Sequence, residues 1–154
     1  MANLTLMLNR AVSAYNTGKL FDAEQICEQI VTKKRNFFEA LYLLATIQSR
    51  LNKKDAALEN YDRALAIRPN VADALNNRGV ILHALKRFEA AVASYDRALA
   101  VKADYAEAFY NRGVTFQALD RLDEALASYD RALAVQPNHA EALNNRGNVL
   151  KGLA

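Results

Sequence analysis

Apolar and small residues recur along the chain at three- and four-residue steps, in blocks separated by short polar turns. In one block, Leu75, Gly79 and Leu82 fall on a single face of a helix. A polar turn follows near Lys86 and Arg87. The next block has the same helical spacing, carried by Phe88, Ala91, Tyr95, Ala98 and Leu99. The pattern therefore predicts pairs of amphipathic helices joined by tight turns.

These helix pairs repeat with a period of 34 residues. Residues 72–105 and 106–139 are identical at 19 of 34 aligned positions. Asn-Arg-Gly triplets end at Gly79, Gly113 and Gly147, and tyrosine-led Tyr-Asp-Arg-Ala-Leu-Ala segments begin at Tyr61, Tyr95 and Tyr129. A period this strict indicates stacked repeat units in place of an ordinary globular core.

The period divides the chain into a single array of four helix pairs and a lone first helix, about nine helices in all. The first pair is degenerate, because Cys27 replaces the repeated tyrosine and Arg35 stands where two units have proline. The last helix stops in the middle of the pattern, so we expect the chain to be a fragment of a longer array. The predicted units are 4–37, 38–71, 72–105, 106–139 and 140–154.

The 34-residue helix–turn–helix unit resembles the tetratricopeptide repeat, as found in bacterial scaffold proteins and in O-linked N-acetylglucosamine transferases. The resemblance rests on three features. Each first helix carries a small residue, and the second helix carries a small residue followed four positions later by an aromatic residue. Pro69 or Pro137 then follows the second helix. The family's usual tryptophan is replaced by Leu or Phe, and its following leucine is replaced by Arg in three units, at Arg78, Arg112 and Arg146. The resemblance implies an all-α, right-handed α-solenoid whose first helices line a concave side.

Composition narrows the class of protein. The 154 residues carry 20 Lys and Arg against 17 Asp and Glu, a net charge of +3 that is too small to predict nucleic-acid binding. One cysteine excludes an intrachain disulfide framework. No apolar run reaches the roughly 18 residues of a membrane span, and the N-terminus does not have the pattern of a secretory signal. We therefore expect a cytoplasmic protein with no membrane partner.

One asparagine per unit lies two positions before the small residue of the first helix, except where Leu43 interrupts the column. A side-chain amide offers two N–H donors and an acceptor oxygen, so a row of amides is able to pair with the backbone of an extended peptide. The row resembles the asparagine ladder of O-linked N-acetylglucosamine transferases. The alternative is that the amides only satisfy backbone groups between neighbouring first helices. The column consists of Asn9, Asn77, Asn111 and Asn145.

Further polar and aromatic side chains predict an uncharged lining for the same groove. One set precedes the asparagine column by one residue, and the other follows it by about two turns. Related repeats that bind chaperone tails hold a terminal carboxylate with Lys, Asn and Arg, and those sites here carry Tyr or Asn and Val80 or Val114, which argues against a chaperone-tail receptor. The lining residues are Tyr42, Asn76, Tyr110 and Asn144, with His83 and Gln117.

The remaining candidates favour structural roles. We expect the arginines Arg78, Arg112 and Arg146 to pack between helices and to pair with Asp62, Asp96 and Asp130 of the preceding units. Cys27 lies in the core tyrosine column, which predicts a buried thiol. His83 and His139 have no acidic partner at ligand spacing, so we expect no metal site, no cofactor and no catalytic residues.

These observations favour a non-enzymatic protein-interaction module, a scaffold or adaptor that binds an extended segment of a protein partner. Two alternatives remain open at this point. The chain is the substrate-recognition part of a glycosyltransferase that resembles O-linked N-acetylglucosamine transferases, or it self-assembles head to tail through the open ends of the array. The identity of the partner does not follow from the repeat, since one fold serves many functions.

Overall fold

A computed structural model describes residues 2–154, and within that range the regular structure is entirely α-helical. The predicted all-α class and the expected number of helices are confirmed. The nine helices of the described range are α1 (Ala2–Asn16), α2 (Leu20–Lys33), α3 (Phe38–Arg50), α4 (Lys54–Ile67), α5 (Ala72–Ala84), α6 (Phe88–Val101), α7 (Ala106–Ala118), α8 (Leu122–Val135) and α9 (Ala140–Leu153).

The helices form two compact units. The first unit ends at Pro69 and contains α1 to α4, and the second runs from Asn70 to Ala154 and contains α5 to α9. Within each unit, consecutive helices pack against each other. The first helices of successive repeats also meet, α1 with α3 and α5 with α7. The first unit therefore consists of two helix pairs, and the second unit consists of two helix pairs followed by the single helix α9.

The turn inside each helix pair has a left-handed residue at the same place in the repeat. Gly18, Asn52, Lys86 and Asp120 have φ values of 77°, 59°, 59° and 56°. The next residue's N–H then returns to a carbonyl in the last turn of the first helix, as in the 2.8 Å bond from Arg87 N to Leu82 O. This is a Schellman-type cap, which ends the first helix and starts the second within a few residues.

The second helix of each pair ends at an equivalent residue whether or not a proline follows. Proline comes two residues after α4 and α8, but not after α6, which ends at Val101. The residue after each helix is nevertheless extended, with φ of −130° at Arg68, −131° at Lys102 and −132° at Gln136. Proline is thus compatible with the helix end but is not required for it.

The packing inside each pair of the second unit depends on a glycine that lies against a tyrosine ring. A Cβ built on Gly79 would lie 2.5 Å from Tyr95 Cε1, and one on Gly113 would lie 2.6 Å from Tyr129 Cε1. Both tyrosine side chains are buried. The predicted role of the small residue, close approach of helices around a filling tyrosine, is confirmed for these two pairs.

Candidate functional site

The first helices of the second unit, α5, α7 and α9, lie side by side and are joined by hydrogen bonds between polar side chains. We call the exposed and half-buried polar and aromatic side chains of these three helices the first-helix face. It contains seven of the nine predicted site residues, while Asn76 of α5 is fully buried and Tyr42 belongs to the first unit. The seven are Asn77, His83, Tyr110, Asn111, Gln117, Asn144 and Asn145.

One part of the first-helix face is a chain of hydrogen bonds between α5 and α7. Asn111 Nδ2 donates to Asn76 Oδ1 at 3.1 Å, and Asn76 Nδ2 donates to Glu107 Oε1 at 3.4 Å. Asn111 is half-buried and Glu107 is exposed. Asn111 therefore bonds to the neighbouring first helix, and its partner there is a side chain and not the backbone.

Asn76 does not line an accessible surface. Its side chain is 0% exposed, because Glu107 and Asn111 cover it. The prediction that Asn76 contacts a ligand is therefore wrong. The uncharged lining also needs correction, since the Glu107 carboxylate joins the network. The sequence contained a signal for Glu107, because the equivalent position of the other units is also acidic: Glu39, Asp73 and Glu141.

A second cluster joins α7, α8 and α9. Asn145 Nδ2 donates to the Tyr110 hydroxyl at 3.3 Å, and the buried Tyr129 hydroxyl donates to Gln117 Oε1. The rings of Tyr110 and Tyr129 are 6.0 Å apart. Burial raises the pKa of Tyr129 to about 12, so this phenol stays protonated and remains a hydrogen-bond donor at neutral pH.

His139 completes this cluster, although the sequence pattern did not single it out for this role. Its ring lies 5.0 Å from that of Tyr110, and its Nδ1 accepts a hydrogen bond from Ala142 N, which caps the start of α9. Glu141 Oε2 is 3.3 Å from the same nitrogen. His139 therefore has an acidic neighbour at the start of α9, but the two side chains belong to no described group of three or more that could hold a metal ion.

His83 bridges from α5 to α7. Its Nδ1 is 2.9 Å from Thr115 Oγ1, and Thr115 in turn donates to the carbonyl of Asn111 at 2.9 Å. Because that bond takes the hydroxyl hydrogen, Nδ1 of His83 is the donor to Thr115. Burial lowers the pKa of His83, which keeps the ring neutral at physiological pH and leaves Nε2 as an acceptor.

The other predicted lining residues have different degrees of exposure. Asn77 is half-buried, and Asn144 is exposed with its Nδ2 3.5 Å from Asn145 Oδ1. Tyr42, in the first unit, is half-buried between two aromatic rings, 5.9 Å from Phe38 and 6.0 Å from Tyr61. The face of the second unit thus offers amide, phenol and imidazole groups, with Glu107 as a carboxylate.

Arg112 and Arg146 make the predicted contacts with aspartates of the preceding repeats, and all four residues lie in the second unit. Arg112 Nη1 lies 2.7 Å from Asp96 Oδ1, and Arg146 Nε lies 2.5 Å from Asp130 Oδ1. Arg112 also donates through Nε to Ser128 Oγ at 3.2 Å. These guanidinium groups hold neighbouring helices together, which confirms the expectation for Arg112 and Arg146.

No described cluster of residues suggests metal chemistry or membrane insertion. Among residues 2–154, no group of three or more His, Cys, Asp or Glu side chains is placed to hold a metal ion. No helix of that range has both the length and the apolar character needed to cross a membrane. Cys27 is buried as predicted, and burial, with a smaller effect of Glu28, raises the pKa of its thiol to about 12.

The repeat and its packing define a helical-repeat protein, and comparison with known families agrees. A model described as "TPR repeat" matches residues 47–86 and 79–120, and one described as "Tetratricopeptide repeat" matches 106–139. Together the matches span 47–139, more than half of the chain. The protein belongs to the tetratricopeptide-repeat (TPR) family, and its fold is the all-α solenoid type of that family.

Solved structures share this fold at low sequence identity. MamA is 20% identical, with a TM-score of 0.93 over 99% of this chain and 84% of its own. YrrB, described as a TPR protein with an unusual peptide-binding site, is 23% identical, with a TM-score of 0.88 over 94% and 74%. The first TPR of Spaghetti (RPAP3), bound to the HSP90 peptide SRMEEVD, is 28% identical, with a TM-score of 0.74 over 75% and 92%. No curated protein matches the chain.

Proposed function

We propose that the chain is a non-enzymatic protein-interaction module that binds an extended segment of a partner protein along the first-helix face of the second unit. Family membership supports an interaction role, and two proteins with the same fold, YrrB and RPAP3, are described with a peptide-binding site or a bound peptide. An extended peptide advances by about 3.3 Å per residue, and packed helices lie about 8–10 Å apart. Each successive first helix would therefore meet about every third residue of the peptide.

The observation that carries the proposal is the partial use of the amide groups on this face. The bond to the neighbouring first helix takes one N–H of Asn111. Asn145 bonds to Tyr110, lies in hydrogen-bond contact with Tyr129 and accepts one bond from Asn144 at its oxygen. Each amide has two N–H groups and an oxygen with two lone pairs, so each retains capacity for a peptide backbone. The same bonds hold the amides in one orientation before a ligand arrives, which reduces the entropy cost of binding.

We further propose that the bound segment is not an acidic tail of the SRMEEVD type. Glu107 adds a carboxylate to the face, and Asp73 and Glu141 are exposed at the equivalent places of α5 and α9. Val80, which is exposed, and Val114 stand where a carboxylate clamp needs polar side chains. A peptide rich in Glu and Asp would therefore meet like charge without a matching cation.

The test begins with selection of random peptides displayed on phage against the immobilised chain. Enriched peptides are then titrated by calorimetry against the chain and against a variant with Asn77, Asn111 and Asn145 changed together to Ala. At about 1 kcal/mol for each lost hydrogen bond, affinity should fall on the order of a hundredfold. Helicity and melting temperature of the variant are measured in parallel, because Asn145 also bonds to Tyr110.

A matched control variant removes three exposed amides from loops that follow second helices: Asn70→Ala, Gln136→Ala and Asn138→Ala. It should bind the selected peptides as the unchanged chain does. Peptides N-methylated on the backbone should bind weakly, because the contact is with the backbone. Equal affinity of the two triple variants, or strong binding of SRMEEVD itself, would contradict the proposal.

A further inference from the structure

Thr115 places a hydroxyl group at a core position where the other first helices of the second unit have aliphatic side chains. The equivalent residues are Ile81 on α5 and Val149 on α9. The exposed fractions of Thr115, Ile81 and Val149 are 0%, 3% and 2%. A buried hydroxyl costs free energy unless it is hydrogen-bonded, and α9 fills the same place without one. The hydroxyl of Thr115 therefore has a role that packing does not require.

This hydroxyl joins three helices through three hydrogen bonds. Oγ1 of Thr115 lies 2.9 Å from the carbonyl oxygen of Asn111 and 2.9 Å from Nδ1 of His83 on α5. It also bonds to the hydroxyl of Tyr95 on α6. The carbonyl cannot donate, so it takes the one hydroxyl hydrogen, and His83 and Tyr95 donate to the two lone pairs of Oγ1. His83 is therefore held with its hydrogen on Nδ1.

The other ring nitrogen of His83, Nε2, is left as an acceptor. The ring is half-buried, and its edge-to-face contact with Phe88, at 5.1 Å between ring centroids, helps to fix its plane. Among residues 2–154, no buried side-chain nitrogen or oxygen lacks a hydrogen-bond partner, and no described residue bonds to Nε2. Nε2 therefore lies at the surface of the first-helix face, with its lone pair available to a ligand.

The surroundings of Nε2 favour a small hydroxyl group as the donor. Val80 lies one turn earlier on the same side of α5 and is 39% exposed. Beside this apolar surface, a hydroxyl loses less solvation than an ammonium or guanidinium group does. On α7 the equivalent residue is Gln117, whose oxygen accepts from Tyr129 and whose N–H groups remain, and on α9 it is Lys151. The face therefore offers donors at this place on α7 and α9, but an acceptor on α5.

We propose, on the basis of the function proposed above, that His83 determines specificity: its Nε2 accepts a hydrogen bond from a threonine or serine hydroxyl of the bound segment. The methyl group of a threonine would also contact Val80. A carboxylate has no hydrogen to donate, so aspartate and glutamate are disfavoured at this position, and phosphorylation of the hydroxyl removes the donor. Thr115 is a positioning residue, because it is fully buried and acts on the ligand only through the tautomer of His83.

Nitrogen NMR of isotope-labelled histidines tests the tautomer in the free chain. The chain has two histidines, and neutral His139 carries its hydrogen on Nε2, because its Nδ1 accepts from Ala142 N. We expect the two rings to show opposite tautomers at about pH 8.5, roughly two units above the usual histidine pKa of about 6.5. A predominant Nε2–H form of His83 would overturn the proposal.

Peptide binding tests the specificity. A phage-selected peptide that loses affinity in the variant without the three asparagines is resynthesised with threonine, valine or aspartate at each position in turn, and each peptide is titrated by calorimetry. At one position threonine should bind about threefold to tenfold more tightly than valine, which has the same shape without the hydroxyl, and aspartate should bind more weakly than either. His83→Phe should abolish the difference between threonine and valine.

Two variants separate positioning from a purely structural effect. Thr115→Val leaves the ring of His83 in place but frees its tautomer, so NMR should show both forms and the preference for threonine should shrink. Tyr95→Phe is the matched control, since it removes the other side-chain bond to Thr115 and should leave the tautomer and the preference unchanged. Melting temperatures measured in parallel show whether each variant is folded.

The outcomes for His83 and for the proposed function are distinguishable. If no selected peptide binds, the proposed function fails, and the role of His83 fails with it. Peptides that bind and depend on the asparagines, but show no preference for threonine or keep that preference in His83→Phe, overturn the role of His83 alone.

Discussion

Replacing Gly113 with alanine tests whether the glycine column exists to admit the tyrosine ring. The new Cβ would lie 2.6 Å from Cε1, 2.8 Å from Cδ1 and 3.0 Å from Cζ of Tyr129. Ordinary carbon contacts begin at about 3.5 Å, so the ring would have to move by about 1 Å. The ring is buried and its hydroxyl is bonded to Gln117, so this movement disturbs both packing and a hydrogen bond.

The expected magnitude follows from two opposing effects. Glycine to alanine in a helix interior gains about 1 kcal/mol, and overpacking of a core costs about 1–3 kcal/mol or more. We therefore expect Gly113→Ala to lower the free energy of unfolding by about 1 kcal/mol. Gly147→Ala is the matched control, since it lies in the same Asn-Arg-Gly triplet with nothing within 4 Å, and it should gain up to about 1 kcal/mol.

Urea denaturation followed by circular dichroism measures both variants, and hydrogen exchange shows whether the loss is concentrated in α7 and α8. In a Tyr129→Ala background, Gly113→Ala should no longer be destabilising, because the obstructing ring is gone. If Gly113→Ala stabilises the chain as much as Gly147→Ala does, the close-packing explanation is refuted.

Three further predictions concern other parts of the fold. Lys86→Gly should raise the melting temperature, because Lys86 has a φ of 59°, a conformation that glycine adopts without strain. We expect the free energy of unfolding to rise by up to about 1 kcal/mol. Calorimetry measures the melting temperature, and a lower value in the variant would contradict the reasoning. Arg112→Leu should cost about 1 kcal/mol in chemical denaturation through loss of the pair with Asp96, whereas lost peptide affinity at unchanged stability would indicate a binding role. Cys27 should resist thiol reagents in the folded chain. Burial raises the pKa of this thiol from 9.0 to about 12, so its contribution to stability is present below about pH 9 and is lost as the pH rises towards 12. Denaturation at a series of pH values, with Cys27→Ala as the comparison, measures this contribution. Equal slopes of the free energy of unfolding against pH for the two proteins would refute it.

Much of the candidate site was predictable as positions but not as contacts. The 34-residue period correctly indicated that Asn111 and Asn145 occur once per unit on first helices. It did not reveal that each donates to the residue before the equivalent asparagine of the preceding unit, or that this buries Asn76. Residue spacing describes one helix at a time, whereas these bonds depend on the distance between neighbouring helices.

His139 makes a contact that the sequence did not predict. The sequence placed it between a second and a first helix, and its only evident chemistry was metal ligation, which spacing disfavoured. In the fold its ring lies against Tyr110 of the preceding first helix, 29 positions earlier, and its nitrogen caps α9. Such a contact has no sequence pattern of its own, because it depends on how the turn between α8 and α9 is folded.

By itself, the sequence determined the all-α class, the period of 34 and the pairing of a small residue with a tyrosine, because these depend on helical periodicity and side-chain volume. The tertiary structure decided which polar residues are accessible and which form contacts between helices. It also decided where the second helices end. They end at the same place in the repeat whether a proline follows, as Pro137 follows α8, or no proline follows, as after Val101 in α6. The physical reason is that local propensity contributes fractions of a kcal/mol per residue, whereas stacking one helix pair on the next sets the distances on which burial and hydrogen bonding depend.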